Sequence, residues 1–514
     1  MDFTGVELFL DDRFVSFTDN IRRRVQTAQV HPESPLIRRE HPWEQGHVCL
    51  LGSVRHDPER DLLRMWYMAV GKNYPTEKFM AYAESDDGVH WTRPMLDLVP
   101  YEGIRKTNIL FGDGFAVTGP AVLPNPDQSD PERRFLVTFN SYTKTHDDTL
   151  DISDTIARWN YIAWSPDGIH WNPPQGRKAF GGKADSCQST VWDPVARVFR
   201  AYVRRTLFDP LGQRVRTWAY LESPDFEHWG PTQELLRLDA GDGGSDGQIQ
   251  QLSITRYDGI YIGLLSMFRV EQYYQGPEGG YLKWDRSGPQ GDLDEGPQIN
   301  DIQLVTSRDG VNFTRVGDRQ IFLGATRREG VFSTSGHRTA GNLVVFRDKV
   351  HIFCDGRLGG WGQRSPMQIG LATVPVDRFV SMEPDRKYRE GVIELVPLVF
   401  PDTRLRLNAS TRNTVYTKET SVGCIWPEAA DPDGHAIAGF SRKDAVPMDG
   451  DRFDHPLQWK RDGKTYDLSA LPQRAETPVR LRFWMDNAKV FSLRTESCSA
   501  GGRNWEVTSD PGPY

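Results

Sequence analysis

The phrase YAESDDGVHWTRP at 82–94 comes back as IAWSPDGIHWNPP at 162–174, as YLESPDFEHWGPT at 220–232 and as LVTSRDGVNFTRV at 304–316. Phrases recurring at this spacing mark repeated structural units, and a repeat constrains a fold more than composition does. Two short β-rich runs stand before each copy: VCLLGSVRHD (48–57) and LLRMWYMA (62–69), FAVTGPAVLPN (115–125) and RFLVTFNS (134–141), SCQSTVWDP (186–194) and VFRAYVRR (198–205), GQIQQLSITRYD (247–258) and IYIGLLSMFRV (260–270). A fifth unit, LVVFRDKVHIFCDGR (343–357) followed by QIGLATVPVDRF (368–379), has its own ending. Turn residues such as Trp192-Asp193-Pro194 and Tyr257-Asp258-Gly259 separate the paired runs, as tight hairpins require. Helical periodicity is scarce. Five units of about four strands predict an all-β chain built as a five-bladed β-propeller, whose radial packing protects most strand edges.

Within the phrase, Asp-Gly supplies a turn with a positive φ, which Gly tolerates. The Ser and Asp side chains accept hydrogen bonds from turn amides. Trp91, Trp171, Trp229 and Phe313 are then expected to pack between neighbouring blades, and His90, His170 and His228 to ride on the turns as structural residues. The phrase specifies fold, not chemistry.

From about Val392 the texture changes to alternating strands with Gly, Pro and Asp turns and no repeat phrase. This reads as a β-sandwich of jelly-roll type. The expected organisation is an N-terminal extension packing on the propeller (1–30), a catalytic propeller (31–388) and a C-terminal β-sandwich (389–514). The sandwich is a candidate surface for forming a homo-oligomer, and Trp426, Trp459 and Trp484 are assigned to its core.

The net charge is −8, with both signs interspersed and no basic patch, which disfavours nucleic acid as a partner. No run approaches about 18 apolar residues, so no membrane span is expected, and the opening MDFTGVELFLDDRFV lacks the basic and apolar blocks of a secretory signal. The five cysteines are scattered without a CxxC pair. They suit reduced thiols and a cytoplasmic setting. No metal-ligand spacing or phosphate loop stands out, so neither a metal nor a cofactor is expected.

The runs ELFLDDRFV, HPWE (41–44), GSVRHDPERDLLRMWYMA, SDDGVHWTRPMLDL with TNILF, DSCQSTVWDPVARVFRAYVRR and SRDGVNFTRV resemble those of five-bladed-propeller proteins of glycoside-hydrolase type. These are related to the superfamily of invertase, levansucrase and arabinanase. The resemblance covers roughly residues 5–385, and PVRLRFWMDNAKVFSLR is similar to their C-terminal domain. It implies the propeller fold and sugar chemistry. Those families use an Asp in blade one, an Asp in blade two and a Glu in blade three. This chain departs from that set, so their catalytic residues are not carried over.

In a propeller, the loops before the first strand and after the second strand of each blade open on one face. The acids there are Glu44, Asp113, Asp185, Asp246 and Glu329 before first strands, and Glu271 after a second strand. Asp113 and, at the opposite ends, Asp57, Asp193 and Asp258 read as turn residues. Asp185, Glu271, Glu44, Glu329 and Asp246 are therefore the catalytic candidates, with Trp43, Asn140, Arg204, Arg205, His337, Asp355, Arg357 and Trp361 as substrate-binding candidates. Each acid has a plainer reading: Glu44 as a cap on the turn after Trp43, Asp246 as a loop residue, Glu329 as one half of an ion pair.

Glycosidic cleavage needs one carboxylic acid to protonate the leaving oxygen and a second carboxylate to attack carbon or activate water. The expected activity is a glycoside hydrolase acting on a small oligosaccharide or glycoside, with fructosides or arabinosides favoured by the resemblance. The alternatives are a transglycosylase, a phosphorylase using Arg204, Arg205 and Arg357 as an anion clamp, and a non-catalytic carbohydrate-binding protein.

Overall fold

The computed structural model describes residues 3–496 apart from 4, 74–75, 113–114, 144–158, 182–184, 209–213, 243–246, 271–272, 276–280, 284–297, 329, 359–365, 387–388, 414–420 and 472–476. The chain is all-β and divides into two compact units. No helix among the described residues is long and apolar enough to cross a membrane.

The larger unit comprises 28–315 and 321–373. Its main framework is five antiparallel sheets. Sheet one runs His47–Asp57, Leu62–Val70, Lys78–Ser85, Ile109–Phe111; sheet two runs Phe115–Pro124, Phe135–Thr143, Trp159–Ser165, Asn172–Gly181. Sheet three runs Asp185–Asp193, Val198–Phe208, Arg214–Ser223, Gln233–Leu236. Sheet four runs Gly247–Tyr257, Ile260–Val270 and Gln298–Ser307, the last pairing with both Thr314–Arg315 and Ile321–Leu323. In sheet five, Arg338–Thr339 and Val344–Phe346 both pair with Lys349–Gly356, and Gln368–Pro375 follows. Its last strand is Gln29–Val30, so the two ends of the unit's sequence meet in one ladder.

These strands follow the sequence runs closely, because tight turns with fixed residue types end each one. Each sheet has a hairpin end, where its first strand turns into its second, and a loop end, where the first strand begins. First strands are buried nearly throughout: in His47–Asp57, seven consecutive residues from Val48 are buried. The first strands of successive sheets lie against one another in chain order, and sheet five returns to sheet one.

The repeated phrase has the same aspartate contacts in all four copies. Ser85 Oγ accepts from Gly88 N at 2.8 Å, and Asp87 Oδ1 accepts from Val89 N at 2.7 Å and His90 N at 2.8 Å. Ser165, Asp167 and His170 repeat it, as do Ser307, Asp309 and Asn312, and the third copy keeps the aspartate part, Asp225 Oδ1 accepting from Glu227 N and His228 N. Gly88, Gly168 and Gly310 take φ of +80°, +76° and +75°, the left-handed region that glycine enters without strain. The third copy places Phe226 there at +67°. The aromatic residues pack where expected: Trp91 on Phe353 of sheet five, Trp229 on Phe180 of sheet two, Phe313 on Tyr202 of sheet three.

The smaller unit comprises 1–27, 316–320 and 374–503. One sheet orders Ile21–Val25, Val380–Pro384, Lys489–Thr495, Leu405–Ser410 and Asp451–Pro456, with Val6–Glu7 beside Lys489–Thr495. The other orders Val15–Asp19, Gly391–Leu395, Arg480–Asp486 and Cys424–Ala430. Leu481, Phe483 and Met485 alternate into the core, the period of a sheet with one covered face. Trp459 is fully buried.

The assignment of 1–30 as an extension on the propeller is corrected here. Val15–Asp19 pairs with Gly391–Leu395 and Ile21–Val25 with Val380–Pro384, so residues 1–27 belong with the C-terminal part. Long-range strand pairing of this kind leaves no local mark in a sequence.

Candidate functional site

At the loop end of sheet five, Arg338 and Asp355 face each other in register. Arg338 donates from Nε to Oδ1 at 3.3 Å and from Nη2 to Oδ2 at 2.6 Å, and its backbone N also reaches Oδ1 at 3.2 Å. Both side chains are buried, at 7% and 3% exposure. A buried pair is held by two-point geometry, and removing one partner strands the other charge.

His337 precedes this pair. Its Nδ1 donates to the Asp355 carbonyl at 3.3 Å. Burial pushes its pKa down to about 4, against the opposing influence of that hydrogen bond and of the Asp355 and Asp301 charges. The ring is therefore neutral near pH 7 and offers a lone pair at Nε2. That atom is buried and has no partner, and so are Asn300 Nδ2 and Ser335 Oγ.

The three atoms belong to adjoining residues: His337 N donates to Asn300 O at 3.1 Å and Asn300 N to Ser335 O at 2.9 Å. Gly336 makes this crossing feasible. It sits at φ +80°, and a Cβ on it would lie 1.8 Å from Asn300 O. Next along the strand, Asp301 is 1% exposed. Its Oδ1 accepts from Ala325 N at 2.8 Å and its Oδ2 from Arg327 Nη2 at 2.9 Å.

Sheet one supplies the cationic side. His47, Val70 and Lys78 are cross-strand neighbours, and Lys78 is 4% exposed. Met367 N donates to His47 Nδ1 at 3.3 Å, so the neutral ring carries its hydrogen on Nε2. Burial, then the charges of Arg357, Arg338, Arg39 and Lys78, hold His47 down at about 3. Arg338 also touches Met367 Sδ. Burial pushes the nearby Cys49 thiol up to about 12, which removes it as a nucleophile.

Of the residues singled out from sequence, His337, Asp355 and Arg357 come together here; Arg357 is 8% exposed and bridges to Ser333. Asp185 is the ladder partner of Arg204, but its side chain lies outside the described residues. Asp246, Glu271, Glu329, Asp113 and Trp361 lie outside them too. Arg204 is buried and donates to Gln250 O at 3.1 Å. Arg205 is the next residue of the same strand and points to the opposite face, so the two do not form one anion clamp, which corrects that expectation. Asn140 is fully buried on sheet two.

Glu44 and Trp43 have structural roles. Glu44 Oε2 accepts from Glu40 N at 3.0 Å and His41 N at 3.1 Å, and Oε1 accepts from Tyr67 OH at 2.7 Å. The carboxylate is 0% exposed. It caps its own turn, the plainer of the two sequence readings. Trp43 stacks on His41 at 4.7 Å and donates to Asn108 Oδ1 at 2.8 Å, and at 2% exposure it is core, not a sugar platform.

Sequence reasoning missed His47, Lys78, Asn300, Asp301 and Arg338. Lys78 and His47 open strands, where a charge or imidazole usually reads as solvated. Arg338 sits in a two-residue strand with no periodicity to read. Among the described residues no group of three His, Cys, Asp or Glu side chains is placed to hold a metal ion.

No family model matches the chain, and no curated protein matches it. Similar solved structures include one titled a glycoside hydrolase, at 12% identity, covering 69% of this chain and 92% of that one with a TM-score of 0.42. A glycosyl hydrolase from Bacteroides ovatus matches at 14% identity over 70% of this chain and 97% of that one, TM-score 0.44. A beta-1,2-mannobiose phosphorylase from Listeria innocua matches at 12% identity over 69% and 98%, TM-score 0.44.

Proposed function

We propose that the chain is a carbohydrate-active enzyme on a five-bladed β-propeller followed by a β-sandwich, and that it hydrolyses a small oligosaccharide or glycoside at the loop end of sheets one, four and five. The observation that carries this reading is the set of unpartnered buried atoms on Asn300, Ser335 and His337: one donor, one group that does both, and one acceptor. Buried polar atoms are almost always satisfied. A sugar hydroxyl both donates and accepts, so it is suited to such a set.

Asp355 and Asp301 already accept hydrogen bonds at both oxygens. They act as acceptors that fix the surrounding cations and His337. The acid that protonates the leaving oxygen, and the carboxylate opposite it, are assigned to Asp185, Asp246, Glu271 and Glu329. Fructosides and arabinosides are the first substrates to assay, on the sequence resemblance alone. The scattered cysteines, of which Cys49, Cys354 and Cys424 are free, fit a cytoplasmic setting.

The cationic cluster favours one second reading, phosphorolysis. Arg338, Arg357, Lys78 and Arg39 act together on His47, and guanidinium groups are suited to hold a phosphate. The test is turnover of a panel of aryl glycosides, fructans, arabinans and short manno-oligosaccharides with and without phosphate. Hydrolysis proceeds without phosphate, whereas phosphorolysis requires it. No product in either arm contradicts both readings.

A further inference from the structure

A cavity lies at the hairpin end of sheets two and three, with a volume of about 670 Å³. That is within the range of small-molecule clefts, roughly 300–1,000 Å³. Asp193 and Val198, which line or adjoin it, pair at one end of their ladder, and Asp185 and Arg204 at the other. The cavity is thus separate from the loop-end cluster.

Its walls carry Trp164, Trp192 and Phe199, with Asn125, Asp127, Asp130, Arg133, Arg197 and Glu227 around them. Trp164 and Trp192 are only partly buried. Arg133 covers one face of Trp164 at 4.0 Å and is itself held by Glu227 at 2.5 Å. Arg177 holds the other oxygen of Glu227, also at 2.5 Å. Trp192 leans on Phe199 at 4.7 Å. The aromatic surfaces are therefore fixed in place before any ligand arrives, which reduces the ordering cost of binding.

Among the described residues, neither indole N–H donates, the Asn125 amide nitrogen has no acceptor, and Arg197 has no hydrogen bond or ion pair. The lining holds the acids Asp127, Asp130, Asp225 and Glu227 against Arg133 and Arg197. This balance disfavours phosphates and other anions, and the four acids are already engaged by turn amides or arginines rather than free for a cation. Apolar faces with a rim of groups that donate and accept suit a neutral sugar ring.

We infer that this cleft is a second carbohydrate-binding site, distinct from the catalytic end, taking a neutral di- or trisaccharide across Trp164 and Trp192. The inference rests on the carbohydrate reading for its choice of ligand. Such a site retains an oligosaccharide near the enzyme and raises its effective concentration.

The experiment is saturation-transfer NMR and fluorescence titration of the whole chain with cellobiose, maltose, sucrose and β-1,2-mannobiose, on wild type, Trp192→Ala and Arg197→Glu. Arg197 is exposed and unpaired, so its variant keeps the test valid if Trp192→Ala unfolds. The expected result is binding of at least one sugar, weakened about tenfold or more by either substitution. Sugar binding unaffected by both variants, or no binding at all, overturns the inference. So does a proline-rich peptide that binds in a Trp192-dependent way where the sugars do not. Turnover is read separately, on loop-end variants, so binding here without any turnover contradicts the enzyme proposal and leaves this site standing.

Discussion

Trp66 in sheet one donates its indole N–H to the carbonyl of Gly168, in the repeat phrase of sheet two, at 2.7 Å. Two residues earlier, Arg64 reaches the carbonyl of Asp167 at 2.5 Å. Sheet three does the same to sheet four: Tyr202 donates to Gly310 O at 2.8 Å and Arg200 to Asp309 O at 2.6 Å. In these two copies the phrase is a clasp: its turn presents two carbonyls, and an Arg-x-aromatic pair on the preceding sheet captures them.

Gly168→Ala tests the clasp. The residue needs φ +76°, and its Cβ would meet Trp66 Cζ2 at 2.8 Å and Arg64 Nη2 at 2.9 Å. Gly103 has φ +86° and open space around it. Gly103→Ala should cost about 1 kcal/mol from the backbone alone. Gly168→Ala should cost about 2 kcal/mol or more. Thermal unfolding of the two variants checks the order.

Glu44→Gln tests the reassignment of an expected catalytic acid. The amide nitrogen cannot accept from Glu40 N, His41 N or Tyr67 OH, so at least one buried donor loses its partner. The cost should be about 1–3 kcal/mol, seen as a lower unfolding midpoint, with turnover by the folded fraction retained.

Asp355→Asn should cost both stability and turnover. It leaves the Arg338 guanidinium buried beside a neutral amide, at a cost of about 3–5 kcal/mol, and it also removes turnover. Replacing both residues with apolar side chains of similar volume, Arg338→Met with Asp355→Leu, should recover stability but not activity. Denaturant unfolding alongside an activity assay separates the two effects.

His351 sets a pH dependence. Burial, ahead of every other influence, holds it at about 4, below its ordinary value near 6.5. The unfolded chain therefore binds the proton first as pH falls. Its stabilising contribution is complete above about pH 6.5 and is lost as pH drops toward about 4. Between about pH 7.5 and about pH 5 the loss is roughly 2 kcal/mol. His351→Gln should flatten the acid side of the stability curve by that amount, while the steeper fall due to His47 and His337 remains.

Much of the larger unit was legible because its information is local. Asp-Gly turns, hairpin signals and apolar runs ended strands within a residue or two of where they lie, as in 260–270 and 62–70. The site was less legible because it is assembled by contacts remote in sequence. His47 meets Met367 and Asn300 crosses Gly336, and neither pairing leaves a period or spacing to read. Glu44 misled for a related reason: an acid before an axial strand looks the same whether it faces a ligand or caps its own turn. The pairing of 15–25 with 380–395 was hidden likewise, since strand partners share no local signature.

The central claim is that sugar chemistry occurs beside His337, Asn300 and Ser335. The most direct measurement is product analysis of the sugar panel by anion-exchange chromatography for wild type and His337→Phe, which fills the space at Nε2 without adding charge. The account predicts at least one cleaved sugar and a drop of about a hundredfold or more in the variant. Turnover unchanged by that substitution, or no cleaved sugar from wild type with or without phosphate, would contradict it.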